Sequence, residues 1–207
     1  MWLKAYSVWL RELRSAGLTA QSQFLLLRTY ANGAVVHLLR ANHVLEQWCV
    51  SWDNEVVAYL QELLHRTLRQ DQRLQVFLPL AQGGLGFASA SARRSAAFLG
   101  SWEQSLHDVA PAVGVASASR FFADAIGTHQ ALQSACTNLQ TQGVPAPVPW
   151  ERRFRNPVRQ HQKLWSQRVN DHAHATLLEE LTEDQRAELR SAGGGRRSWQ
   201  LPPPSFS

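Results

Sequence analysis

No stretch of this 207-residue chain approaches 18 uninterrupted apolar residues, so hydropathy offers no bilayer-spanning helix. Cysteine is almost missing as well. Cys49 and Cys136 stand far apart with no C-x-x-C or Cys/His spacing around them, which excludes a disulfide or zinc framework and fits reduced thiols. The opening stretch MWLKAYSVWLRELRSAG is charged too early and too often for a secretory signal, so an intracellular chain is expected, nuclear or cytoplasmic and not secreted. No alternating β pattern of useful length occurs. Gly-Lys-Ser/Thr and G-x-S-x-G are also missing, which leaves P-loop and nucleophile-elbow chemistry without a local signature.

What is present is an ordinary share of apolar residues, 44%, in a chain long enough to bury a sizeable core. The formal charge is +5, which suits an acidic partner such as nucleic acid. The excess is uneven: residues 1–75 sum to +2, residues 76–140 to zero and residues 141–207 to +3.

The first two thirds read as helices with short breaks. Trp2, Tyr6, Trp9, Leu10 and Leu13 form a helical stripe ending before Gly17. Thr19 suits the N-cap of a second helix, with Asn32-Gly33 as the turn that closes it, and AVVHLLRANHVLEQW as a third helical stretch. Asp53 reads as the N-cap of a helix whose Val56, Val57, Leu60, Leu63, Leu64 and Leu68 share a face, with Trp52 stapled against Val57. Ala92, Ala96, Leu99, Trp102 and Leu106 keep helical spacing through Gly100, and short helices are expected over 117–126 and 128–141. QGVPAPVPW, 142–150, is the internal linker, followed by a basic helix near 158–175 and a helix opened by the capping box Thr182/Gln185. The expected class is all-α, an irregular multi-helix bundle with a Gly-rich turn and a Gly/Pro-rich mobile C-terminal tail. Its divisions are a helical region 1–141, a linker 142–150, a basic helical segment 151–192 and a flexible tail 193–207.

LPLAQGGLGFASA, 78–90, places Gly83, Gly84 and Gly86 in four positions, which invites a phosphate-loop reading. A dinucleotide fingerprint would need a third glycine where Ser89 stands, and a strand before it. A tight turn fits better, with glycines supplying positive φ and with Leu85 and Phe87 entering the core. Phe122-Ala123-Asp124-Ala125 resembles a polymerase metal box but lacks its second aspartate, so Asp124 reads as a surface or capping residue. His172 and His174 are two apart, on different faces of a helix, and do not make a metal pair. Neither a metal nor a cofactor is expected.

WERRFRNPVRQHQKLWSQR, 150–168, sets Arg152, Arg153, Arg155, Arg159, Lys163 and Arg168 against one acid, Glu151, and interleaves Trp150, Phe154 and Trp165. Two readings stay open. The cations track a phosphate backbone while the aromatics stack or anchor, or the strip is a solvated basic face with its aromatics in the core. Arg93-Arg94 beside the glycine turn is a second, weaker basic spot.

The order of LLLRTYANGAVVHLLRAN, SWDNEVVAYLQELL, LPLAQGGLGFASASARRSAAFLGSWEQSL and ELRSAGGGRRSWQLPPP resembles the region downstream of the palm in non-LTR (LINE-type) retrotransposon reverse transcriptases, of the divergent dinoflagellate and protist type. Gly83, Gly84 and Gly86 match that family's turn, and Arg28 and Arg40 match two recurrent arginines. Gly193–Gly195 followed by Arg196-Arg197 is a loose version of its terminal motif. The resemblance implies a non-catalytic, thumb-like C-terminal portion without the palm and its paired aspartates, holding RNA or an RNA–DNA hybrid by its backbone, with no membrane or small-molecule partner. Arg28, Arg40, Arg93, Arg94 and the Arg152–Arg168 strip are then the phosphate contacts. A structural or protein-interaction helical module, as a decayed retroelement fragment, is the alternative.

Overall fold

A computed structural model describes residues 2–115, 118–144 and 161–193, and among these residues the chain is all-α with no strand. Helix α1 (Trp2–Ser15) buries Tyr6, Leu10 and Leu13 as its stripe requires. Helix α2 (Ala20–Leu26) begins at Thr19, whose hydroxyl accepts the Ser22 amide at 3.2 Å.

The expected stop at Asn32-Gly33 does not occur. After α2 the backbone passes through a π turn (Leu27–Ala31) directly into α3 (Asn32–Ala41). Asn32 keeps helical backbone angles (φ −61°, ψ −45°), and its side chain bridges to the glycine turn: Nδ2 donates to the Gly86 carbonyl and Oδ1 accepts the Ala88 amide, both at 2.7 Å. The stretch expected as a third helix breaks instead at Asn42, which is extended.

Helix α4 (Glu46–Leu63) starts seven residues before its expected cap. Asp53 therefore lies inside α4, and Trp52 stacks on Tyr6 and Trp48 instead of stapling to Val57. Val56, Val57 and Leu60 are buried as expected, while Leu64 is exposed and Leu68 lies beyond the helix end. The capping chemistry of Asp53 is real but serves another helix. Its carboxylate accepts the Ala90 amide at 2.7 Å, the Ser91 amide at 3.1 Å, the Ser89 hydroxyl at 2.8 Å and the Ser91 hydroxyl. These donors form the start of α6 (Ala90–Ala112).

Between them come α5 (Gln70–Val76), a 3₁₀ turn (Leu80–Gln82) and the glycine turn. Gly83 has φ 81° and Gly86 φ 78°, the left-handed region that favours glycine. Gly84 lies so close to the Leu78 carbonyl that a Cβ could not be added without moving backbone. Phe87 is 1% exposed and Leu85 packs partly buried against the same cluster, so the turn reading holds.

Helix α6 is the hub. It packs against α3, α4, α8 (Ile126–Thr141) and α9 (His161–Glu180), and runs unbroken through Gly100. A short α7 (Ala118–Asp124) precedes α8 and leaves Asp124 exposed. One apolar cluster joins α1 to α4 with Phe87. A second gathers Leu99, Leu106, Leu132 and Leu139 with Trp165 and Val169 of α9. The third, Leu78, Leu177, Leu181 and Leu189, seats α10 (Glu183–Gly193), whose capping box Thr182/Gln185 forms as the sequence predicts. The described part of the basic segment thus shares its apolar clusters with the preceding helices. Most of the Pro-rich linker and the tail from Gly194 lie outside the described residues.

Candidate nucleic-acid interface

Arg28 sits in the π turn, half-buried, its guanidinium 5.6 Å from the Phe24 ring centroid and its Cδ beside Gly86. Arg40, in the last turn of α3, donates to Gln104 Oε1 at 3.2 Å. Arg94 is a buried structural cation. It is 8% exposed, pairs with Glu46 at 3.2 Å and donates to the Val44 carbonyl. That ion pair ties the head of α6 to the first turn of α4.

Arg93, one residue earlier, differs sharply. Its guanidinium donates to Asn170 Oδ1 at 2.9 Å, and among the described residues no carboxylate lies within ion-pair distance. Burial pushes it below the usual arginine value, the direction expected when a charge loses water without gaining a counter-ion. It opens into a cavity of about 340 Å³ between α4, α5, α6 and α9. Arg73 also lines that cavity, with Asn54, Gln70, Ser91 and Thr176 as neutral hydrogen-bonding groups. The one carboxylate among the lining residues is Asp53, already accepting four hydrogen bonds at the head of α6. Burial pushes its carboxyl up, against those hydrogen bonds. The cavity therefore offers two guanidiniums and several neutral donors to an anion, with no free carboxylate to neutralise them.

Lys163 and Arg168 lie on α9, which supplies Asn170 to this cavity. Lys163 is exposed and shares a helix face with Asn170 seven residues on, about 10 Å along the axis. Arg168 stands over the Trp165 ring at 5.2 Å. Trp165 itself points inward, 3% exposed, and its indole N–H donates to Glu103 at 2.9 Å. This aromatic of the strip anchors the helix and is not available for stacking on bases. Arg152, Arg153, Arg155 and Arg159 fall outside the described residues.

Sequence reasoning missed Arg73. It sits in an unremarkable short helix twenty residues before Arg93, and only the packing of α5 beside α6 and α9 brings the two guanidiniums to one cavity. Among the described residues no cluster of His, Cys, Asp and Glu could hold a metal, and no helix is long and apolar enough to cross a membrane. Compared with protein-family models, curated proteins and solved structures, the chain has no match in any of the three.

Proposed function

We propose that the chain is a non-catalytic helical module that grips the backbone of a nucleic acid, as the C-terminal portion of a reverse-transcriptase-like retroelement protein. The observation that supports this best is Arg93, a half-buried cation without a carboxylate partner among the described residues, facing a cavity it shares with Arg73. A phosphate entering there would offset the charge that burial strands. Lys163, about two helical turns up the same face of α9, extends the contact toward a second phosphate. Such contacts position a polyanion and read no base. RNA or an RNA–DNA hybrid is the partner that the sequence resemblance nominates, and Arg28 and Arg40 would act as outlying contacts.

The test is binding of a labelled RNA–DNA hybrid across a salt series. Affinity should fall as salt rises, by about 0.7–0.9 log units per decade for each phosphate held. Arg93→Gln should reduce both the affinity and that slope. Absent affinity at low salt, or a slope unchanged by Arg93→Gln and by combined Glu substitution of Arg152, Arg153 and Arg155, would overturn the proposal. Nucleotide incorporation by the pure protein in a primer-extension assay would overturn its non-catalytic part.

A further inference from the structure

The cavity that holds Arg73 and Arg93 is larger and more apolar than a phosphate group alone requires. Its volume, about 340 Å³, lies within the small-ligand range of about 300–1,000 Å³. Four parts of the chain wall it: α4, α5 with the two residues after it, the head of α6, and α9. The guanidiniums occupy only part of that wall. Leu74, Phe77, Ala92 and Ala173 supply another part, and each is only half-buried by its packing in the fold. A sugar–phosphate backbone threading past would set charged, hydrated groups against these apolar side chains. A flat and largely apolar ring system covers them instead, with Phe77 as the aromatic available for stacking.

The polar part of the wall is selective too. Arg93 donates to Asn170 at 2.9 Å, and Arg73 makes one long bond, 3.4 Å, to the Leu68 carbonyl. Among the described residues neither has a carboxylate within ion-pair distance, which leaves both guanidiniums with donors to spare. Each planar fork engages a pair of acceptor oxygens. A phosphodiester inside a strand offers two unesterified oxygens and a single charge. A terminal phosphomonoester offers three, with about −1.5 to −2 charges at pH 7. Two guanidiniums therefore match a phosphate at an end better than one in the interior of a strand. Asp53, in the same wall, is already held by four donors at the head of α6.

Resting on the reading of this cavity as a phosphate site, we infer that it takes one nucleoside monophosphate unit, with its phosphomonoester on Arg73 and Arg93 and its base against Leu74 and Phe77. A free nucleotide and the 5′-phosphorylated end of a strand share that chemistry.

The test uses the full chain and an RNA–DNA hybrid whose single-stranded 5′ overhang ends in phosphate or in hydroxyl. At fixed salt the phosphorylated end should bind at least about tenfold tighter. Titration calorimetry should show adenosine monophosphate binding about tenfold or more tightly than adenosine or inorganic phosphate. Arg73→Gln should abolish both differences. So should Thr176→Glu, which adds a carboxylate at an exposed position on the cavity wall. A gain at the overhang identifies a strand end as the source, and adenosine monophosphate binding without that gain identifies a free nucleotide. Equal affinity for the two ends, with no adenosine monophosphate binding, would overturn the inference. If hybrid affinity then still falls on Arg93→Gln, the backbone grip stands without it, whereas no binding of any of these at low salt would overturn both. Inorganic phosphate binding as tightly as the nucleotide would overturn the inference in favour of a bare-anion site. Differences that persist in both variants would place the nucleotide elsewhere and overturn it as well.

Discussion

Asp53 accepts the backbone amide of Ala90 at 2.7 Å, so the middle of one helix satisfies amides at the start of another, beside Ser89, whose hydroxyl accepts the Ala92 amide at 3.1 Å. Asp53→Ala would strand buried donors at the start of α6 and should cost about 3 kcal/mol, the sum of a lost cap and unsatisfied buried amides. Asp53→Asn keeps the shape and one acceptor but turns an amide group toward the two serine hydroxyls, and should cost about 1–2 kcal/mol. Urea unfolding should show a lower midpoint at unchanged slope. An Ala variant as stable as the parent would mean that α6 starts without help from α4.

Asn32 bridges two backbone groups of the glycine turn, one as donor and one as acceptor. Asn32→Ala loses both and should cost about 2 kcal/mol, whereas Asn32→Asp keeps the bond from the Ala88 amide but sets a carboxylate oxygen against the Gly86 carbonyl and should cost at least as much. Thermal melts of the three proteins test the order. An Asp variant matching the parent would show that the bond to the Gly86 carbonyl contributes nothing.

Two glycines should respond in opposite directions. Gly33 lies inside a helix, exposed, with open space where a Cβ would stand, so Gly33→Ala should stabilise by about 0.5–1 kcal/mol. Gly84→Ala would drive a methyl into the Leu78 backbone and should leave little folded protein at 37 °C. Comparing the two melting curves checks both at once.

Burial raises the Cys49 thiol to about 11, and burial likewise raises the Tyr6 phenol. Because the folded thiol holds its proton to higher pH than an unfolded thiol, near 8.5, its contribution to stability is complete below about pH 8 and is lost as pH climbs toward 11. Tyr6 acts in the same direction from about pH 10 upward. Stability measured from pH 7.5 to 11 should therefore fall, and Cys49→Ala should flatten the earlier part of that fall. Thiol titration of the native protein at pH 8 should modify Cys136, which is partly exposed, and reach Cys49 only after denaturant is added. Prompt reaction of both would contradict the burial.

Local signals were readable in the sequence and distant pairings were not. Thr19 and Thr182 bond within three residues of themselves, so their helices could be recognised from the sequence alone. The glycine turn was readable because positive φ leaves few residue choices at Gly83 and Gly86. Asp53 and Asn32 announced capping and turn chemistry correctly as side chains, but their partners lie 37 and 54 residues away, and periodicity carries no information at that range. The same limit hid the cavity. Arg93 and Arg94 look alike in sequence, yet the 100° step between neighbours on a helix points one at Glu46 and the other at Asn170.

The π turn at Leu27–Ala31 holds one residue more than the helix on either side of it needs. In geometric terms it absorbs one extra residue within one turn, leaving Leu27 and Ala31 of the turn and Val35 and Leu39 beyond it seated on the core. A homologue without it would be one residue shorter between Thr19 and Asn42. Any gapless alignment across that interval would then set one flank about 100° out of phase, matching Arg40 to a position that faces another way.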